Sequence, residues 1–144
     1  MQIKQKIDIP WIWLVTLNPN KTAQAIKSFP DEKRKKFIKG FDEMNVLFSN
    51  EKLLNDVIKG NDYIKLVGKT SASIEVGSKQ HRIHAHYTFI THKKCMIDYN
   101  KVRKFAKYFY PGCHINFLPK PDIVTAMKLY AAKSRPLKDI NEIL

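Results

Sequence analysis

The sequence predicts an α+β fold, a central antiparallel β-sheet flanked by helices, and three observations predict it. Short runs such as Trp11 to Leu17 are rich in β-formers and closed by turn residues, as strands are. Residues 73 to 90 alternate polar and apolar on both sides of a turn-rich centre at Gly77 to Gln80, the pattern of a half-buried hairpin. Residues 21 to 60 space their apolar side chains as helices do. With 144 residues and 44% hydrophobic content, the chain is expected to form one domain over 1–144, able to bury a core without disulfides.

The elements follow in order. Trp11 to Leu17 reads as a central strand that ends at the turn signal Asn18-Pro19-Asn20. Pro30 and the acidic Asp31-Glu32 open a helical stretch with Phe37, Ile38, Phe41, Met44, Val46 and Leu47 at helical spacings, followed by a second piece with Leu53, Leu54, Val57 and Ile58 that Gly60 stops. Residues 31–60 read as a helical elaboration on the sheet. Asp62 to Val67 and Thr70 to Val76 are expected strands around Gly68-Lys69, with a histidine strand from Arg82 to Thr91. A helix from Asp98, its N-cap, to Tyr110 precedes a strand at Cys113 to Leu118, and a last helix is expected from about Pro121 to Ser134.

Alternation on the hairpin has a chemical consequence. Ile74, Val76, Ile83, Ala85, Tyr87 and Phe89 fall on one face, while Ser73, Glu75, His84, His86 and Thr88 fall on the other. A two-residue turn at Lys79-Gln80 sets Glu75 directly across from His84. Two imidazoles and a carboxylate on one face are candidate ligands for a divalent metal, zinc or manganese at least as readily as magnesium on ligand type alone. The same histidines also suit a plain polar strip on an amphipathic strand.

Charge points to the partner. The chain has 26 basic and 13 acidic residues, a net charge of +13, with aromatics such as Phe37, Phe105, Tyr108 and Tyr110 close to runs of lysine and arginine. Basic groups neutralise phosphates while rings stack on bases, so the expected partner is nucleic acid rather than a membrane. No long uncharged apolar run is present, so neither a signal peptide nor a membrane span is expected, and the chain reads as soluble and intracellular. Cys95 and Cys113 have no metal-like spacing and suit a reducing compartment.

Two partial motifs lead nowhere. Gly68-Lys69-Thr70 has Tyr63 where a phosphate-binding loop needs its first glycine, and His86-Tyr87-Thr88 lacks the second His-x-Thr copy of a two-histidine phosphoesterase.

The order Trp13-Leu14-Val15-Thr16-Leu17-Asn18, then Glu75 ahead of His84-Ala85-His86, then Tyr130-Ala131-Ala132-Lys133, resembles motifs I, II and III of HUH endonucleases, specifically the Rep nuclease domain of rolling-circle replicons. The resemblance spans most of the chain and implies a Rep-like fold. It implies magnesium or manganese held by Glu75, His84 and His86, with Tyr130 as the nucleophile that forms a 5′-phosphotyrosine on single-stranded DNA at an origin or hairpin. Lys133, three residues on, would orient the phosphate or favour the phenolate. Thr16 and Asn18 of the first motif, with Arg82, Lys93 and Lys94 flanking the histidine strand, are candidate DNA contacts. Thr16 and Asn18 equally suit a strand end, and Tyr130 continues an apolar rhythm of Ile123, Met127 and Leu137 that a core tyrosine would share.

Ala85 stands where the family usually has a bulky apolar residue between the histidines, and the third motif holds a single tyrosine. No ATP-binding motif is present, so a helicase would act in trans or in a C-terminal part beyond this sequence. A single-tyrosine HUH transposase shares this chemistry, though its third motif more typically has glutamine after the tyrosine. A non-catalytic DNA- or RNA-binding module is the reading from another class.

Overall fold

The computed structural model describes residues 9–121. Within them the fold is α+β, with a four-stranded antiparallel sheet in the order β3-β4-β1-β6. The strands are β1 (Trp11–Asn18), β3 (Ser71–Val76), β4 (Ile83–Thr91) and β6 (His114–Lys120). Helices α1 (Ala23–Lys27), α2 (Asp31–Ser49) and α3 (Glu51–Asp56) lie between β1 and β3 in the chain, and α4 (Tyr99–Phe109) lies between β4 and β6. A small second sheet pairs β2 (Ile58–Lys59) with β5 (Met96–Ile97).

Local chemistry accounts for the boundaries. Thr22, Asn50 and Asp98 cap α1, α3 and α4, each side-chain oxygen accepting from a backbone N–H in the first turn. Arg34 donates to the carbonyls of Ile26, Lys27 and Phe29, satisfying carbonyl groups left open where α1 ends. After α4 the segment Tyr110-Pro111-Gly112-Cys113 closes with Cys113 N–H donating to the Tyr110 carbonyl at 3.0 Å. Gly112 has φ +78°, which a turn with proline second and glycine third requires.

The core sits on one face of the sheet. Trp13, Val15, Leu17, Ile74, Ala85, Tyr87, Phe89 and Ile115 meet Ile26 of α1, Phe41 and Phe48 of α2, Leu54 of α3 and Val102 and Ala106 of α4 in one cluster. Trp13 and Phe48 each stack nearly parallel on Phe89, with centroids 5.9 and 5.3 Å away. Polar tips within this core are paired: Trp13 Nε1 donates to Thr91 Oγ1 at 3.1 Å, and the Tyr87 and Tyr110 hydroxyls donate to the carbonyls of Phe41 and Phe37. Gly40 makes the last contact possible, since a Cβ there would stand 2.5 Å from the Tyr110 hydroxyl.

Three expectations need correction. Asp62 to Val67 is not a regular strand: only Leu66 forms a bridge, to Thr91, and Val67 N–H donates to the Ile90 carbonyl. Asn55 accounts for this irregular path by exchanging side-chain hydrogen bonds with both backbone groups of Ile64. The hairpin ladder closes at Gly77 and Arg82 rather than at a two-residue turn, leaving a loop from Ser78 to His81 in which His81 adopts φ +53°. The loop is centred on the same pair, so the register is as expected, with Glu75 opposite His84. The third is the final strand, which runs on to Lys120, with Pro119 accommodated because β6 is an edge strand. The helix expected from Pro121 to Ser134 lies outside the described residues apart from Pro121 itself.

Candidate active site on the open face of the sheet

The opposite face of the same strands carries different chemistry. All four of the described helices give their buried residues to the core side, and the small cluster of Ile12, Ile90, Leu14 and Val67 on the other side receives none of them. The register sets out this face in rows. Ser73 pairs with His86, His86 with Thr16, and Thr16 with Asn116. One step toward the hairpin loop, Glu75 pairs with His84 and Asn18 with His114. One step away, Ser71 and Leu14 each pair with Thr88, and Leu14 with Leu118.

Glu75 and His86 are in contact. Glu75 Oε1 and His86 Nε2 are 2.6 Å apart, a diagonal contact between adjacent strands. An ionised carboxylate only accepts, so Nε2–H donates to Glu75 in this arrangement. On the other side of the ring, Thr16 Oγ1 lies 3.3 Å from Nδ1, in a hydrogen bond whose sense follows the tautomer. Both ring nitrogens are therefore engaged and the imidazole plane is fixed. His86 is about one-fifth exposed and Glu75 about half, so the pair stands at the rim of the sheet face.

Two hollows adjoin along the strands. One, of about 300 Å³, is lined by Leu14, Thr16, Ser71, Ser73, His86, Asn116 and Leu118. The second, of about 360 Å³ and more open, is lined by Asn18, Gly77, Lys79, Arg82 and His84 at the hairpin end. The hairpin tip is tied down there: Ala23 N–H donates to the His81 carbonyl and Ile83 N–H to the Lys21 carbonyl, both at 3.0 Å.

The sequence candidates divide accordingly. Glu75, His86 and Thr16 come together. His84 shares their face but is turned toward Gly77, which a Cβ would bring to 3.6 Å from its ring. Among the described residues no three His, Cys, Asp or Glu side chains gather closely enough to enclose an ion. Asn18 and Arg82 line the second hollow beside His84, and Asn18 Oδ1 also accepts from Asn20 N–H, so it does terminate the strand. Lys93 and Lys94 stand apart. They follow the end of β4, where Thr91 is roughly 17 Å from His86 at strand rise. Lys93 pairs with Asp62 at 3.1 Å, and Lys94 lies over the Trp11 ring. Tyr130 and Lys133 lie outside the described residues.

Asn116 and His114 are the face residues that sequence reasoning missed, whereas Ser73 was placed on this face but given no role. Part of the signal existed: Ile115 and Phe117 are apolar, so alternation puts His114, Asn116 and Leu118 on the face away from the core, and the pairing with β1 then sets Asn116 beside Thr16.

The other described tyrosines have different work. Burial, with Asp42 nearby, holds the Tyr87 phenol well above its ordinary range, and burial does the same for Tyr110. Tyr63 donates to Glu51, and Tyr99 meets Phe117 edge-on. The thiols are removed from the site as well; burial pushes Cys95 up to about 11 and raises Cys113.

Comparison with known proteins gives no match: no family model, no curated protein and no solved structure is significantly similar to the chain. Among the described residues no helix is long and apolar enough to cross a membrane.

Proposed function

We propose that this protein is a metal-dependent, site-specific nuclease and strand-joining enzyme acting on single-stranded DNA, of the type that initiates rolling-circle replication. The observation that carries the reading is the Glu75–His86 contact, with Thr16 behind the ring, on a sheet face over which none of the described helices places its buried side chains. A chain of net charge +13 supplies the attraction for a polyanion.

The donor set fits a divalent cation by its chemistry: one carboxylate and two imidazoles on adjacent strands, two of them already in contact. Glu75, His84 and His86 would hold it, with magnesium or manganese preferred by resemblance. When bound, such an ion polarises a phosphate oxygen and stabilises charge in the transition state. For His86 to offer Nε2 as a ligand, its proton must reside on Nδ1, where Thr16 Oγ1 is the acceptor. Thr16 orients the ring and can accept from Nδ1–H in that tautomer, while Asn116 and Ser73 offer hydrogen bonds to a strand lying in the adjoining hollow.

Tyr130 is the proposed nucleophile. Its oxygen bonds to the scissile phosphorus as the bond to the 3′ oxygen breaks; the phenolic proton is lost and the 3′ oxygen gains one, leaving a 5′-phosphotyrosine and a free 3′-hydroxyl. Attack by a 3′-hydroxyl reverses the step and joins strands. Lys133, three residues on, would steady the phosphate or the phenolate. A helicase would act in trans or in a region beyond this sequence.

The closed Glu75–His86 pair favours one other reading, a nucleic-acid-binding module that performs no chemistry. Incubation of the protein with a broad pool of single-stranded oligonucleotides and manganese, followed by a denaturing gel, separates the two. The enzyme gives a covalent adduct that Tyr130→Phe abolishes. Binding without an adduct across the whole pool would overturn the catalytic reading, and an adduct that survives Tyr130→Phe would overturn the nucleophile.

A further inference from the structure

A second feature lies around the corner from the open face, where α2, α4 and the turn after β1 meet. Lys21, Phe29, Lys33, Lys36, Tyr108 and Phe109 line a cleft of about 180 Å³, with Pro19 at its edge. Its cations lie on its rings. Lys33 Nζ stands 4.3 Å from the Phe29 centroid and Lys36 Nζ 4.3 Å from that of Tyr108. Tyr108 is 68% exposed, and it meets Phe109 edge-on at 4.9 Å.

Among the described residues no acidic side chain lines this cleft, and neither of the two ion pairs uses its lysines. Arg34, which lies between Lys33 and Lys36 in sequence, is committed to carbonyls and is not part of the feature. An exposed ring with an ammonium group over it, beside further lysines, matches single-stranded nucleic acid: a base replaces the Lys36 ammonium on the Tyr108 face while the displaced lysine meets the flanking phosphate.

Position adds direction. Asn18 lines the hollow beside His84, whereas Pro19 and Lys21 line the aromatic cleft. Only the turn Asn18 to Lys21 separates the two, and it is fixed by the Asn18–Asn20 hydrogen bond and by Ile83 N–H donating to the Lys21 carbonyl. We infer that a single DNA strand leaving the open face passes over this turn and enters the α2–α4 cleft, where a base stacks on Tyr108 and phosphates meet Lys21, Lys33 and Lys36. The inference rests on the single-stranded DNA reading above but not on its chemistry.

Fluorescence anisotropy with labelled single-stranded oligonucleotides, short and long, tests it on the full chain. Tyr108→Ala should weaken binding of the long oligonucleotide about tenfold, as loss of one stacked base does, and Tyr108→Phe should restore it. Short oligonucleotides that fill only the open face should bind both variants as they bind wild type. Lys33→Gln with Lys36→Gln should make the logarithmic salt dependence shallower by about 1.4, two phosphate contacts on a single strand. Covalent adduct formation on a short oligonucleotide should not change in any of these variants, so a failed cleft is distinguishable from a failed nuclease. Equal affinity of wild type and Tyr108→Ala for long oligonucleotides would overturn the cleft, and so would an unchanged salt dependence in the double variant.

Discussion

The two faces of one sheet are built from alternate residues of the same strands, yet they obey different rules. Toward the helices, Trp13, Val15, Leu17, Tyr87 and Phe89 are chosen for shape, and the hydroxyls and indole N–H among them are paired internally. Away from the helices, the neighbouring positions are Leu14, Thr16, Asn18, His86 and Thr88, and a carboxylate stands at the rim. Packing explains the first face completely. It does not explain the second, where hydrogen-bonding and ionisable side chains are set in rows over adjoining hollows. A surface required only to be soluble has no need of a histidine held at both nitrogens.

Substitution should separate the faces sharply. Phe89→Ala, which removes a ring stacked against both Trp13 and Phe48, is expected to cost about 3–5 kcal/mol in denaturant unfolding. Asn116→Ala, exposed on the other side, should fall within about 0.5 kcal/mol of wild type while weakening oligonucleotide binding. Comparable losses of stability from the two changes would erase the distinction.

A smaller effect is expected in alkali and belongs to the core side. Burial moves Cys95 from an ordinary value of 9.0 up to about 11 and raises the phenols of Tyr87 and Tyr110. Above about pH 9 the unfolded chain therefore gives up protons that the folded chain keeps, so the raised groups stabilise fully below that pH and lose their contribution as pH rises toward 11. Thermal unfolding followed from neutral pH upward should show this fall, with a gentler early slope in Cys95→Ala. A flat profile would mean that these groups are more accessible to water than their packing indicates.

Much of this contrast was legible in the sequence because strand alternation is rigid. Once residues 73 to 90 are read as a hairpin, the faces of Glu75, His84 and His86 follow, and a loop centred on Lys79-Gln80 gives the same register whether it holds two residues or four. The contact that actually forms was not legible. Glu75 reaches diagonally to His86 rather than straight across to His84, and rotamers decide that, not register. The contribution of β6 was hidden for another reason: its pairing with β1 is long-range, and nothing local in His114 to Leu118 names the neighbour. The β2–β5 pair, two residues from each strand, is too short to leave a periodic signal. The segment Asp62 to Val67 has strand-like composition, but Asn55 captures its backbone at Ile64, and a side chain from a helix is invisible to a local pattern.

The proposed nuclease needs a divalent cation on the open face, held by Glu75 and its neighbouring histidines. Titration with substoichiometric manganese, read through paramagnetic broadening of the histidine ring signals, tests it without relying on catalysis. His84 and His86 should broaden first, His92 beyond the far end of β4 should stay sharp, and Glu75→Gln should abolish the selectivity. Uniform broadening of all five histidines, or none at His84 and His86, would contradict it.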